Sequence, residues 1–206
     1  GMRNNAHNIQ VGTPTASAAN AAAASFAALV AQLGYLSKSD IELVRKAYKF
    51  ADEAHLGQLR KNGEPYITHP VAVARILAQM HMDVKSIIAS ILHDVLEDTS
   101  LSFKELEDAF DGVVARGVLA LTKNTSLDKK YQMQDCLTRI VMQDKEIAIV
   151  KLCDRITNLQ KPPLKWNKEK IKKYHLQAVT IAQALEGKNA YLDNRIQEKI
   201  KAYTAF

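Results

Sequence analysis

The segment Ile87–Thr99, IIASILHDVLEDT, sets four ionisable side chains into an apolar run. On a helix buried by its Ile and Leu residues, uncompensated carboxylates cost several kcal/mol each, so a cationic partner is required. A divalent metal ion meets that need economically. His93 and Asp94 are adjacent, so their side chains diverge by about 100° yet can converge on one ion from a shared helix edge. Glu97 and Asp98 follow one turn later, which stacks Glu97 over His93 and Asp98 over Asp94 and places a carboxylate pair beside the ion.

Further ligands must come from elsewhere in the chain. His69 immediately precedes Pro70, a rigid junction that fixes the direction of an imidazole. Asp154 falls on the stripe set by Ile147 and Val150, so an acid occupies a buried helix face, with Arg155 or Arg139 as alternative ion-pair partners; Asn158 continues the stripe one turn later. His69, His93, Asp94 and Asp154 supply two nitrogen and two oxygen donors, a set suited to Mn²⁺ or Fe²⁺ and less to Zn²⁺. Arg60 and Lys61, beside the Asn62-Gly63 turn and shortly before His69, place positive charge near this centre, where a guanidinium can grip phosphate or stack on a purine. His55 and His81 read as structural, His7 and His175 as solvent-exposed.

Helices must position these groups. A capping box, Ser39 with Glu42, opens a helix whose stripe runs through Ile41, Val44, Tyr48 and Ala51. The loop LGQLRKNGEPYITH breaks the pattern, and Pro70 suits a first helical position. One continuous helix is expected over about Val84–Asp98, and a second capping box, Ser102 with Glu105, starts the next. Asp144 caps a helix reaching Gln160, which Pro162-Pro163 ends. Two closing helices, about Lys168–Glu186 and Ala190–Tyr203, flank Gly187. Upstream, the Ala-rich stretch Ser17–Leu33 reads as an accessory helix within an extension of residues 1–34; residues 3–17 are expected to fray, and Gly1 before Met2 reads as a cleavage scar. No period-two alternation long enough for a strand is present. The expectation is an all-α single domain over residues 35–206.

Composition agrees. Among 206 residues, 47% are hydrophobic and only 8 Gly and 5 Pro interrupt the chain, which favours helices over many short strands. No stretch of membrane-spanning apolar length occurs, and Cys136 and Cys153 lack the spacing of a zinc ribbon or disulfide scaffold, so reduced thiols in the cytoplasm are expected. The net charge of +6 is uneven: residues 145–206 carry +7. That basic third suits an anionic partner, but only 6% of the chain is aromatic, too little for a base-stacking nucleic-acid platform.

The runs AYKFADEAHLGQLRKNGEPYITHP, HDVLEDT, LTKN and VKLCDRITNL together resemble the hydrolase domain of the RelA/SpoT homologues, over about Tyr35–Tyr174. The resemblance implies an α-helical HD-domain bundle that removes the 3′-pyrophosphate of (p)ppGpp in a Mn²⁺-dependent reaction, giving GDP or GTP and pyrophosphate. It implies that His69, His93, Asp94 and Asp154 hold the metal and that Glu97 and Asp98 orient and deprotonate the attacking water. Arg60 and Lys61 match positions that hold the guanine nucleotide, and Asn158 a nucleotide contact. Tyr66, Lys129, Lys170 and Tyr174 resemble substrate-side positions, the last two within WNKEKIKKY, a pattern similar to that of short animal relatives. The chain has no space for the synthetase and regulatory modules of long family members, which suggests a stand-alone hydrolase. Cys153, Thr157 and Gln160 depart from the pattern around Asp154, where relatives carry a His and an Arg, so substrate preference stays open. Two alternatives remain: a phosphohydrolase of another nucleotide such as NADPH, which the short animal relatives dephosphorylate, and a non-catalytic alarmone-binding protein.

Overall fold

The computed structural model describes residues 9–206; the expectation for His7, and that of fraying before residue 9, lie outside them. Helices dominate, as the composition demands. The chain divides into two compact units, one ending at Thr122 and one running from Lys123 to Phe206.

The first unit holds β1 (Gln10–Val11), α1 (Ala16–Ala31), α2 (Lys38–Ala54), β2 (Gln58–Leu59), α3 (Thr68–Gln79), α4 (Val84–Leu92), α5 (Val95–Asp98), α6 (Phe103–Ala109) and α7 (Gly112–Leu121). Helix α4 is its centre and packs against α2, α3 and α7, while α1 packs on α3. Ile87, Ile91 and Leu92 of α4 are fully buried, together with Leu77 of α3 and Val44 of α2. Each such side chain contributes roughly 1.5–3 kcal/mol of burial, so the helix that leads into the ionisable run is anchored on all sides.

Several local expectations shift in register. The cap of α2 is Ser37, whose hydroxyl accepts from the Asp40 N–H at 3.1 Å, rather than Ser39, which bonds back to Ser37 instead. Helix α3 begins at Thr68, so Pro70 lies inside its first turn, where the missing N–H costs nothing. Ser102 caps α6 as expected, accepting from the Glu105 N–H at 3.1 Å. The segment expected to fray up to residue 17 instead contributes β1, paired antiparallel with β2 as Gln10 opposite Leu59 and Val11 opposite Gln58. Gly12 permits this approach, because a Cβ there would sit 2.9 Å from Leu59 Cδ1.

The second unit holds α8 (Lys129–Val141), α9 (Lys145–Asn158), α10 (Lys168–Ala184) and α11 (Ala190–Tyr203). Helix α9 packs against all three others, which explains why every residue from Ala148 to Ile156 is buried. Asp144 stands at the N-cap of α9 but makes no side-chain cap bond. Gly187, at φ 89°, takes the left-handed turn after α10 that a Cβ would disfavour. Among the described residues no helix is long and apolar enough to cross a membrane.

Candidate metal centre and acid pair

The expected continuous helix over 84–98 is interrupted: α4 ends at Leu92, His93 and Asp94 form a turn, and α5 resumes at Val95. The interruption follows from side-chain bonding to the backbone. Ser90 Oγ donates to the Ile87 carbonyl at 2.7 Å, and His93 Nδ1 lies 2.6 Å from the Ser90 carbonyl. A carbonyl only accepts, so Nδ1 carries the proton and Nε2 presents its lone pair. That lone pair lies 3.1 Å from Asp94 Oδ2. His69 Nε2 approaches the same oxygen at 3.9 Å, and the two imidazole rings stand 5.5 Å apart.

These groups are buried: His69, His93 and Asp94 are 1%, 4% and 4% exposed. A lone pair facing a carboxylate oxygen in a buried site is repulsive unless positive charge lies between them. The donor set therefore fits a divalent cation, and its nitrogen and oxygen chemistry suits a borderline-hard ion. In the second unit, burial pushes the Cys153 thiol up to about 12, leaving it neutral at physiological pH.

Asp94, Glu97 and Asp98 bring carboxylate oxygens within 4.8 Å of one another, with Asp98 buried and Glu97 half-buried. The α5 turn makes this possible, since the Asp98 N–H donates to the Asp94 carbonyl at 2.9 Å and keeps the two side chains one turn apart. Thr99 closes the turn through its hydroxyl, which donates to the Val95 carbonyl at 2.5 Å.

Tyr66, which the resemblance sets on the substrate side, is 2% exposed, and its hydroxyl donates to Asp94 Oδ2 at 2.8 Å, so it braces that carboxylate. Arg60 is half-buried and Lys61 exposed in the loop after β2, where the Arg60 N–H donates to the Glu64 carbonyl at 2.8 Å and Gly63 takes φ 85°.

In the second unit, Asp154 is 8% exposed, with Lys151 Nζ 3.8 Å away. Arg139 pairs with Asp135, and Arg155 lies over the Tyr174 ring at 4.1 Å. Asn158 ends α9, half-buried. Trp166 meets Tyr174 edge-on at 5.3 Å and carries Lys170 over its face at 4.7 Å, while Lys129 is exposed at the first turn of α8. His175, expected in solvent, is half-buried with its ring parallel to Tyr203, because α11 packs over this face of α10. Sequence reasoning missed the bracing residues Gln58 and Lys151, both polar and both buried; their only visible signal is a polar side chain between apolar neighbours.

The HD domain family matches residues 47–185, and the chain belongs to that family. The bifunctional (p)ppGpp synthase/hydrolase SpoT of Escherichia coli K12 is 42% identical over 132 residues, covering 61% of this chain and 19% of its own. The guanosine-3′,5′-bis(diphosphate) 3′-pyrophosphohydrolase of Aquifex aeolicus is 38% identical over 122 residues, covering 58% and 18%. The chain thus spans about a fifth of the length of these curated relatives. A solved structure of a metazoan ortholog of SpoT, which hydrolyzes ppGpp and plays a role in starvation responses, aligns with TM-score 0.73 and 27% identity over 84% of this chain and 99% of that one. A Listeria monocytogenes structure, at TM-score 0.58 and 23% identity, shares the fold.

Proposed function

We propose that this protein is a metal-dependent phosphohydrolase that removes the 3′-pyrophosphate of (p)ppGpp in the cytoplasm, releasing GDP or GTP and pyrophosphate. The observation that carries the reading is the convergence of His69, His93 and the Tyr66-braced Asp94 beside the acids Glu97 and Asp98. The similarity to SpoT-type hydrolases supports the substrate class.

His69, His93 and Asp94, with Asp154 as the fourth protein ligand, are the residues that would hold the ion, Mn²⁺ before Fe²⁺ or Zn²⁺. Such an ion, when bound, acidifies water and offsets phosphate charge. Glu97 and Asp98 orient a water and accept its proton. The water oxygen bonds to the phosphorus at O3′, the P–O3′ bond breaks, and the 3′ oxygen leaves with a proton. Arg60 and Lys61 hold the guanine nucleotide and Asn158 contacts it. Lys129, Lys170 and Tyr174 receive the phosphates and sugar, with the Lys170 charge suited to phosphate oxygens.

A nucleotide panel with product identification tests the assignment. With Mn²⁺, ppGpp should give GDP and pyrophosphate in equal amounts. A preference for NADPH with release of inorganic phosphate would assign the same centre to the other nucleotide, and binding of ppGpp without turnover would make the protein an alarmone binder.

A further inference from the structure

The first unit contains a buried polar bridge that the reaction above does not use. Gln58 is 1% exposed, yet its side chain spans two partners: Nε2 donates to the Asp98 carbonyl at 2.8 Å, and Oε1 lies 2.8 Å from His55 Nδ1. The chemistry fixes every orientation in this chain of contacts. The Asp98 carbonyl accepts only, so the amide must turn its NH₂ toward it and its oxygen toward His55. That oxygen accepts only, so His55 Nδ1 carries the ring proton. The His55 ring in turn packs 5.0 Å from that of Tyr66, the residue that holds Asp94.

The backbone at Gln58 is held as firmly as its side chain. The Tyr66 N–H donates to the Gln58 carbonyl at 2.9 Å, and the Gln58 N–H to the His55 carbonyl at 3.0 Å. Strand β1 pairs Val11 with Gln58, and the Gly12 N–H donates to the Gly57 carbonyl at 2.9 Å. Gly57, at φ 83°, makes the tight reversal that brings His55 and Gln58 side by side. The α5 turn spans only Val95–Asp98, too short to hold its own geometry by helical hydrogen bonding. Its last carbonyl is one of the orphan acceptors of a helix end, and Gln58 satisfies it.

We infer that Gln58, oriented by His55 and pinned by β1, is a positioning residue that sets the place of the Glu97–Asp98 acid pair. Gln58 touches neither water nor substrate; it acts through the Asp98 backbone. The inference rests on the reading of Glu97 and Asp98 as the water-handling pair. Misplacing such a pair by a fraction of an ångström removes a large share of the rate while leaving substrate binding intact.

The variant Gln58→Met keeps length and apolar volume and removes both contacts; His55→Phe keeps the ring and frees the amide to flip. Two readouts are taken on the full chain with Mn²⁺. In steady-state hydrolysis of ppGpp, Q58M should lower kcat by about ten- to a hundredfold with KM unchanged, and H55F by less. In amide hydrogen exchange, Q58M should speed exchange at Asp98 and Thr99 selectively, with α3 and α4 still protected. A KM rise at constant kcat, or unchanged exchange at 98–99, would overturn the inference. If the wild type releases no pyrophosphate, the functional reading fails, and exchange at 98–99 still decides whether Gln58 holds the turn.

Discussion

The α3–α5 segment and helix α10 treat charge in opposite ways. Around α4 and α5, three ionisable groups are buried to within a few per cent and each is held by a neighbour: His93 by the Ser90 carbonyl, Asp94 by Tyr66, Asp98 by Gln58 through its backbone. On α10, Lys168, Lys170, Lys172 and Lys173 are exposed, and Lys170 lies over the face of Trp166. The first arrangement has a large electrostatic cost that only exact partners and a cation offset, so it specifies geometry. The second costs little and specifies little beyond the sign of its ligand. The proposed function assigns chemistry to the first environment and capture of an anionic ligand to the second.

Substitutions should respect that division. The largest effect is expected at Asp94: D94A removes a ligand and the acceptor of Tyr66, and should cut kcat on the order of a thousandfold, as loss of several kcal/mol of metal-borne stabilisation implies; steady-state kinetics beside a metal titration checks both. Tyr66→Phe deletes one hydrogen bond behind the ligand and should lower metal affinity or activity about ten- to a hundredfold, read by competition with a chelator. At the solvated end, Lys170→Ala should raise KM about fivefold with kcat unchanged, and added salt should raise the wild-type KM toward that of the variant. A salt-dependent kcat, or a kcat loss in K170A, would break the contrast.

The smallest effect concerns stability. Asp111 caps α7, accepting from the Val114 N–H at 2.7 Å, and this bond, with Lys85 at 3.3 Å, holds its carboxyl below the usual carboxylate range. The unfolded chain therefore binds the proton more tightly than the folded one. The stabilisation is present above roughly pH 4 and is lost as pH falls through the lowered folded value. Asp111→Ala should cost about 1 kcal/mol at neutral pH, measured by urea denaturation, and the difference from wild type should shrink in acid; activity should not change.

Much of this was legible in the sequence because burial and charge conflict openly there. An apolar run that suddenly reads His-Asp-x-x-Glu-Asp can be stable only with compensation, and His69 before Pro70 completes the thought. The helices followed from periodicity, although Ser37 displaced Ser39 as a cap because both are serines within reach of the same helix start. What stayed hidden depends on contacts across loops. Tyr66 is set on the substrate side by the resemblance alone, and its bond to Asp94 appears only once the loop is folded. Gln58 shows only a polar side chain beside an apolar neighbour: its role appears once Gly57 reverses the chain toward α5. Strand β1, two residues long, has too little sequence to show a period.

The central claim is that the buried His and Asp cluster holds a cation on which hydrolysis depends. The direct measurement is pyrophosphate release from ppGpp by chelator-stripped protein before and after addition of one equivalent of Mn²⁺. The account predicts no release from stripped wild type, recovery on addition, and recovery on the order of a thousandfold smaller from D94A. Release that persists after stripping, or its absence with every divalent ion supplied, would contradict it.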